Sequence, residues 1–454
     1  MDNNLVDYKK ILLIIAIFIT FTVKLNACTL LLVSGKATKD GRPLLMKVRD
    51  STSGNNVFIN NIEGKDFSYV AQYTLTNSVI TGPWGGCHEK SFAIVNSLSY
   101  NIPDSNTGEL NDDIIEMALE SCQTLEEFEI LLDHMEKPAK VRANYGVIDA
   151  NGGAAFYEVG CNGYTKYDAN DLNTTPDGIL VRTNFSLSGD MSNKSGEDRY
   201  LAATLFTEEA KGQGKINWLQ VIREFPRFLK NGNNQNLINS VVPTKGENKV
   251  YYDGYIPRFN TTNAMLFQGA LPEELPSMMV AWMMNGHPFT TVAVPIMGFV
   301  NHLPSKTMIF DNRMESWLCK QSRRLLEEIF CYEGSEFRNH INLECLYNLE
   351  ENGILQKIKR IEDVIFDKGC TIIENARMNG SYSENQIVDY YDWLDSYLFE
   401  EYSRCFPELM LTGILSSVGD KGLLRYWDLM GRQFKFPIKG ILIDSNHKKK
   451  VFHK

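Results

Sequence analysis

The sequence predicts an α+β domain of layered sheets and helices over roughly residues 28–305. Two blocks of short, β-prone runs alternate with turns, and segments with apolar residues at three- and four-residue spacing separate the blocks. Near residue 310 the composition changes, and the chain beyond it is charged and helical in period, with few strand signals. We therefore expect one layered domain followed by a helical extension that packs on it.

Local patterns predict the individual elements. Strands are expected at 29–34, 43–48, 57–60, 91–95, 145–149, 154–159, 178–182, 264–268 and 290–295. Helices are expected at 111–121, 124–135, 218–225, 322–331, 343–368 with a break at Gly353, and 384–402. Asp40-Gly41 and Asn151-Gly152 each lie between two strand runs and predict two hairpins, because glycine accepts the positive φ of a tight turn.

The net charge argues against one class of partner. The 454 residues carry a formal charge of -10, and the isoelectric point is about 5.4. A mildly acidic chain is poorly suited to binding nucleic acid through its phosphates. We therefore expect no nucleic-acid partner, and the sequence does not indicate an oligomeric state.

The first 27 residues are typical of a secretory signal. Lys9-Lys10 supplies the positive segment, residues 11–23 form an uncharged and largely apolar run, and Ala27 is a small residue at the expected cleavage point. The run has thirteen residues, which is short of the roughly 20 that span a bilayer. We therefore expect cleavage and export, to the periplasm or outside the cell, with no membrane span after signal removal.

Cleavage after Ala27 would make Cys28 the first residue of the mature protein, with a thiol and a free α-amine on one residue. The reference pKa of an α-amine is about 8, so the amine can accept the thiol proton without a histidine partner. The chain has 9 cysteines, no CxxC pair and no cysteine–histidine cluster with zinc spacing, so no structural metal is expected. Three alternatives stay open for Cys28: lipidation, because Leu25-Asn26-Ala27-Cys28 is similar to a lipobox; a disulfide; and a buried core cysteine.

The start of the mature chain resembles that of the N-terminal-nucleophile (Ntn) linear amide hydrolases. The resemblance lies in the segment from Cys28 to Val33, in Asp40-Gly41 and in residues 42–50. That superfamily includes choloylglycine hydrolases, penicillin V acylases, acid ceramidase and isopenicillin N acyltransferases. The resemblance implies a four-layer αββα sandwich of two antiparallel sheets, with Cys28 at the end of a central strand as the nucleophile. It also implies that Asp50 binds the α-amine, and that neither a metal nor an organic cofactor is needed.

Two basic residues compete for the position before Asp50. Choloylglycine hydrolases have arginine three residues before the aspartate, where this chain has Lys47, whereas Arg49 fits the Asn-Arg-Asp form of the acyltransferase-like branch. Lysine cannot form the bidentate fork of arginine, so we favour Arg49 and keep Lys47 as the second candidate. A surface cation beside Asp50 is the alternative for either residue.

Three later stretches extend the resemblance, namely 84–96, 144–158 and 182–185. The last is similar to the Thr-Asn segment of the superfamily and makes Asn184 the candidate oxyanion donor, since a fixed amide can bind the oxygen of a tetrahedral intermediate. Asn144 and Asn96 are further candidates, with a structural role as the alternative. Arg258 is the candidate for a late arginine of the superfamily.

The resulting interpretation divides the chain into a signal (1–27), an Ntn-hydrolase domain (28–310), a helical extension (311–410) and a C-terminal tail (411–454). The expected function is cleavage of a linear amide, in a small molecule or a short peptide, through a thioester on Cys28. Transfer of the acyl group to another amine is the alternative outcome of the same chemistry. The alternative from another class is a lipidated surface protein that binds a partner without catalysis.

Overall fold

The computed structural model describes residues 27–51, 56–76, 79–103, 110–240, 249–298, 305–309, 315–330 and 340–407, together with four short strands between 426 and 452. The strands are β1 Cys28–Val33, β2 Leu44–Asp50, β3 Asn56–Glu63, β4 Ser68–Thr76, β5 Val79–Thr81, β6 Gly85–His88, β7 Ala93–Leu98, β8 Ala143–Ile148, β9 Ala154–Gly160, β10 Gly163–Asp168, β11 Ile179–Arg182, β12 Lys249–Tyr251, β13 Thr261–Gln268, β14 Val280–Asn285, β15 Val294–Met297, β16 His340–Asn342, β17 Tyr426–Trp427, β18 Gln433–Phe434, β19 Gly440–Ile443 and β20 Lys449–Phe452. The predicted signal, apart from Ala27, and most of the predicted tail lie outside the described residues.

The helices complete the list of elements. They are α1 Asp113–Ser121, α2 Leu125–His134, α3 Glu197–Gly212, α4 Trp218–Glu224, α5 Trp317–Ile329, α6 Leu343–Leu346, α7 Ile354–Asn379 and α8 Glu384–Cys405. Short 3₁₀ turns lie at Gly35–Ala37, Phe225–Arg227, Leu237–Ser240 and Pro276–Met278.

Two large antiparallel sheets form the centre of the fold. The first has 6 strands in the order β11-β1-β2-β13-β14-β15. The second has 8 strands: seven follow the order β10-β9-β8-β7-β6-β4-β3, and β5 pairs with β4. The sheets face each other, since β1 and β2 contact β7, β8 and β9. Helices α1 and α2 cover the outer face of the second sheet, and α3 and α4 cover that of the first. The predicted α+β sandwich with four αββα layers is therefore confirmed.

Strand β1 lies near the middle of this stack. All six of its residues are buried, because the second sheet covers one face and α3 covers the other. It pairs with β11 on one side and with β2 on the other. The predicted hairpin of β1 and β2 is confirmed, with Gly41 in its connection at φ 77°. An uninterrupted apolar run is the expected pattern for a strand buried on both faces, which explains why the sequence predicted it well.

Elsewhere the predictions were less accurate. The strand predicted at 290–295 is wrong over most of its length, because Thr290 turns back to donate its backbone N–H to His287 O and the strand begins only at Val294. Strand β4 was not predicted because it buries the polar residues Gln72 and Thr74, which hides its pattern. Helix α3 was not predicted because its buried face combines alanines with the polar residues Arg199 and Thr207, which gives a weak amphipathic signal.

The chain beyond residue 310 contributes helices to the core of the domain. The predicted break at Gly353 is confirmed, since Gly353 is the N-cap of α7 and α6 ends before it. Helix α7 packs against β15 and pairs with α8. Apolar residues of both helices belong to the same hydrophobic cluster as those of β1. The division into separate domains stays a prediction.

A buried ion pair connects α7 to the turn after α4 and to the chain before β15. Arg227 and Glu362 have fully buried side chains, with Nη1–Oε2 and Nη2–Oε1 distances of 2.7 and 2.8 Å. Glu362 Oε1 also accepts the backbone N–H of Ala293 at 2.7 Å, while Arg227 donates to the carbonyl oxygens of Pro288 and Thr291. Both charges thus have close partners, as charges removed from water require.

Two further observations concern the described part of the chain. Cys331 lies outside that part, and no disulfide joins any two of the other 8 cysteines, so none of the pairings that the sequence allowed is formed among them. No helix of the described residues is both long and apolar enough to cross a membrane.

Replacing Glu362 by alanine should lower the free energy of unfolding by about 3–5 kcal/mol, because Arg227 would keep a buried charge without its partner. Urea unfolding followed by circular dichroism measures this. Glu401→Ala, in the more exposed pair with Arg404, is the control and should leave the free energy of unfolding nearly unchanged. Equal losses in the two variants would contradict the assignment.

Candidate active site

The site is built around the start of β1. Cys28 is the first residue of the strand, lies opposite Arg49 of β2 and is only 8% exposed. Its backbone nitrogen donates a hydrogen bond to Asn184 Oδ1 at 3.0 Å. Asn184 follows β11, the strand on the other side of β1. The sheet therefore brings together two residues that are 156 positions apart.

Asp50 ends β2 and lies beside the residue that precedes Cys28. Its backbone N–H donates to Ala27 O at 2.7 Å. In its side chain, Oδ1 accepts a hydrogen bond from the Thr261 hydroxyl, whereas Oδ2 is buried and has no hydrogen-bond partner in the described part of the chain. Arg258 Nη1 is 4.0 Å from Oδ2, which is an ion-pair distance without a hydrogen bond. One carboxylate oxygen is therefore available to an additional donor.

Burial raises the pKa of the Asp50 carboxyl, and the charges of Arg199 and Arg258 oppose that shift. The two guanidiniums thus favour the ionised form, which is the form that can accept hydrogen bonds from an amine. Arg258, the candidate late arginine, thus lies near Asp50, and its role in the site stays a prediction.

Arg199 was not predicted, yet it contacts the Cys28 main chain directly. It is 2% exposed, and its Nη1 donates to Cys28 O at 2.6 Å and to Thr29 Oγ1 at 2.9 Å. Its Nη2 donates to Asn184 Oδ1 at 2.8 Å. Because a guanidinium can only donate, this contact identifies the Asn184 atom as the oxygen rather than the amide nitrogen.

A sequence signal for Arg199 exists at Gly196. That glycine has φ 80° and precedes Glu197 and Asp198 at the start of α3. A Cβ at Gly196 would come within 2.3 Å of Arg199 Nη2, so the position needs both the left-handed backbone and the missing side chain. A glycine followed by two acidic residues marks a helix start, but nothing local indicates that the helix contacts Cys28.

Lys47 and Arg49 lie on the face of β2 that points to the second sheet. Lys47 is 1% exposed, and its Nζ donates to Trp84 O at 2.5 Å and to Asn96 Oδ1 at 2.8 Å. The Arg49 guanidinium carbon lies 3.7 Å from the centre of the Trp84 ring, and Nη1 donates to Thr262 Oγ1 at 2.9 Å. Both candidates for the basic position are therefore buried beside the site, and neither is a surface cation.

The charges of these two residues interact with Cys28. Burial lowers the pKa of Lys47 to about 8, and a negative charge on Cys28 opposes the shift. Burial likewise lowers the pKa of Arg49 to about 10, again opposed by Cys28. Both buried cations would therefore attract a negative charge on the Cys28 sulfur.

The three predicted asparagines, Asn96, Asn144 and Asn184, make different contacts around Cys28. Asn96 accepts from Lys47 and donates to Asn111 O at 3.1 Å, so it holds the lysine in place. Asn144 donates to the carbonyl oxygens of Thr183 and Phe185, each at 3.2 Å, and therefore supports the turn on both sides of Asn184. Asn184 itself donates from Nδ2 to Leu98 O at 2.9 Å. Its role as an oxyanion donor stays a prediction.

Within the described residues, no group of three or more histidine, cysteine, aspartate and glutamate side chains is arranged to hold a metal ion.

Comparison with solved structures finds chains that are similar to this one over much of their own length. The Caenorhabditis elegans N-acylethanolamine-hydrolyzing acid amidase ortholog is 15% identical, and the match covers 54% of this chain and 94% of that chain with a TM-score of 0.35. A mutant of conjugated bile acid hydrolase from Clostridium perfringens is 12% identical, covering 60% and 92% with a TM-score of 0.34. Penicillin V acylase from Agrobacterium tumefaciens is 11% identical, covering 60% and 86% with a TM-score of 0.31.

These proteins belong to the superfamily that the sequence resembles. No protein-family model matches the chain, and no curated protein matches it.

Replacing Lys47 by methionine should slow alkylation of Cys28 at pH 7 by about tenfold, the effect of losing about 1.4 kcal/mol of attraction between the cation and the reacting thiolate. At pH 10 the rates should converge, because burial lowers the pKa of Lys47 to about 8 and the lysine is then uncharged in the wild type too. The measurement is the rate of iodoacetamide labelling against pH, read on the Cys28 peptide by mass spectrometry. Superimposable profiles would show that Lys47 does not stabilise the thiolate.

Proposed function

We propose that this chain is an Ntn-type amide hydrolase in which Cys28 is the nucleophile and its own α-amine is the base. The observation that carries the proposal is the surroundings of the Cys28 nitrogen: Asn184 Oδ1 lies at 3.0 Å, and the adjacent Asp50 has a buried carboxylate oxygen without a hydrogen-bond partner in the described part of the chain. A peptide nitrogen has one N–H, whereas an α-amine has two or three. The site thus has more acceptors at this point than a peptide bond can use.

The acceptors would orient the amine toward the thiol. Asn184 Oδ1 binds one N–H, and Asp50 Oδ2 takes a second once Ala27 has been removed. The nitrogen lone pair is then available to the Cys28 thiol on the same residue. This is the geometry that a general base requires, with the base held by a third group.

Positive charge for the thiolate comes from the side of Cys28 that faces the second sheet. Lys47 and Arg49 lie beside the thiol and are held by Trp84 and Asn96. They stabilise the thiolate that forms when the amine takes the proton. The thiol and its base therefore have separate partners, with cations on the side of the second sheet and acceptors at the chain terminus.

The reaction then proceeds through a thioester. The amine takes the thiol proton, and the thiolate sulfur forms a bond to the amide carbonyl carbon. The carbon–nitrogen bond breaks, and the leaving amine takes the proton from the α-ammonium. A water molecule then gives a proton to the α-amine and its hydroxide to the thioester carbon. The carbon–sulfur bond breaks, the carboxylic acid leaves, and the thiolate takes the proton back from the α-ammonium, which restores Cys28. Attack by another amine in place of water would give acyl transfer.

The substrate class is a linear amide in a small molecule or a short peptide. An N-acylethanolamine, a conjugated bile acid and penicillin V form the assay panel, because the structurally similar proteins are named for these compounds. The enzyme would be exported, with signal cleavage after Ala27 exposing the amine.

A lipidated binding protein is the alternative function. It would use the same Cys28 but attach lipid to the thiol and block the amine, which would leave the Asp50 oxygen without a role. Intact-mass analysis of the exported protein separates the two functions. A free N-terminal cysteine supports the enzyme, and a diacylglyceryl mass would refute it.

Cys28→Ser should retain the fold and lose turnover on every active member of the panel by at least about a thousandfold, because the hydroxyl is a far weaker nucleophile than the thiolate. Release of the free amine is the assay. Cys370→Ser, at a half-buried free thiol of α7, is the matched control and should keep wild-type turnover. Unchanged turnover in Cys28→Ser would remove Cys28 from the mechanism.

Asp50→Asn should lower kcat by about 100-fold, within the range of general acid–base contributions. It should also move the acidic limb of the pH profile to lower pH. A nearby carboxylate favours the protonated amine and raises its pKa, so removing that charge lowers the pKa, and the active neutral amine persists at lower pH. A variant with reduced kcat and an unmoved acidic limb would argue against contact between Asp50 and the amine.

A further inference from the structure

A second buried ion pair surrounds the turn that carries Asn184. Glu158 of β9 and Arg182 of β11 have side chains that are 0% and 2% exposed, and Arg182 Nε donates to Glu158 Oε1 at 2.6 Å. The same Oε1 accepts the backbone N–H of Leu187 at 2.8 Å, and Oε2 accepts that of Ser188 at 2.7 Å. One carboxylate therefore binds the chain both before and after Asn184.

The chain between these contacts is short. Arg182 is two residues before Asn184, and Leu187 and Ser188 are three and four residues after it. Neutral side chains also support the turn: Asn144 contacts it from β8, and Asn101 Oδ1 accepts the backbone N–H of Ser186 at 2.8 Å. Glu158 differs from these in carrying a charge, and it crosses from the second sheet to the first.

We propose that Glu158 is a positioning residue for the Cys28 amine, acting through the turn that holds Asn184 Oδ1 against the Cys28 nitrogen. This inference rests on the proposed function, since it assigns Glu158 a role in the same reaction. Glu158 does not touch the reacting atoms. It fixes the two ends of the turn, and the turn fixes the acceptor that orients the amine.

The number of hydrogen-bond donors makes the inference testable. Three N–H groups converge on the two oxygens of Glu158, namely Arg182 Nε, Leu187 N and Ser188 N. Glutamine has nearly the same shape but only one acceptor oxygen, so its amide NH₂ must face at least one of these donors. Glu158→Gln should therefore displace one end of the turn while conserving side-chain volume.

The chain contains a matched control at Glu362. Its two oxygens also accept three donors, two from Arg227 and one from the backbone of Ala293, and its side chain is equally buried. None of the hydrogen bonds described for Glu362 reaches Cys28, Asp50 or Asn184. Glu362→Gln therefore imposes the same chemical change on a buried ion pair that does not hold the site.

The experiment compares Glu158→Gln with Glu362→Gln in the processed protein. Both should lose stability, but only Glu158→Gln should lower kcat, by about 100-fold for an acceptor displaced by an ångström, with KM nearly unchanged. The second readout is the pH profile of Cys28 alkylation, which does not depend on turnover. It should shift in Glu158→Gln alone, because the amine next to the thiol has lost its fixed acceptor.

Equal kcat and equal alkylation profiles in the two variants would overturn the inference and leave Glu158 with a purely structural role. If Glu158→Gln does not fold, Arg182→Lys takes its place, since lysine keeps the charge but loses the Nε contact with Glu158. An unchanged kcat in Arg182→Lys would also contradict the positioning role. Failure of the proposed function is distinguishable, because it would appear as turnover retained in Cys28→Ser. If Cys28→Ser loses turnover but Glu158→Gln and Glu362→Gln have the same kcat and the same alkylation profile, only the positioning role of Glu158 is refuted.

Discussion

The hydrogen bond between the Cys28 nitrogen and Asn184 Oδ1 is the contact on which the candidate site depends. It joins the first residue of β1 to the turn after β11, and Arg199 of α3 donates both to that oxygen and to Cys28 O. Three elements that are far apart in the chain must therefore be in register before the nitrogen has its partner. The antiparallel pairing of β1 with β11 provides that register, and the packing of α3 on the same strands provides the arginine.

The same centre requires charges to be buried, which is unfavourable unless each has a partner. Lys47 and Arg49 are satisfied by a carbonyl, an amide, a hydroxyl and the face of Trp84, and neither donates to a carboxylate within the described residues. Asp50 is placed among arginines but keeps one oxygen without a hydrogen bond in the described part of the chain. This arrangement is poor for stability and suitable for chemistry, since unpaired acceptors and desolvated cations remain able to interact with a substrate or an amine.

The same type of buried ion pair occurs at two places in the protein. Glu158 with Arg182, and Glu362 with Arg227, are both buried pairs in which the carboxylate also accepts backbone N–H groups. The first pair spans the two sheets next to Asn184, and the second connects α7 to the chain before β15. A buried pair of this type is rigid, because each partner becomes an unsatisfied charge if the other moves. Such an ion pair can hold the turn around Asn184 in place, and it can keep the helical extension packed on the domain.

The sequence by itself determined the features that local patterns encode. The apolar run after Cys28, the turn at Gly41, the Asp50 that ends β2 and the break at Gly353 all follow from residues that are neighbours in the chain. The α+β class follows from the alternation of such patterns. The resemblance identified Cys28 and Asp50 at the N-terminus, and Asn184 in the later segment 182–185, as candidates.

Only the tertiary structure decided which distant residues meet. Arg199 and Glu158 carry no local signal of their contacts, because a charged residue on a helix or strand is equally compatible with solvent. The packing of two sheets and a helix decides three further features. It buries both Lys47 and Arg49, brings Asn184 to the Cys28 nitrogen and places Asn144 where it supports the turn. Hydrogen bonds between elements depend on register and on layer order, and one sequence without its fold does not specify either.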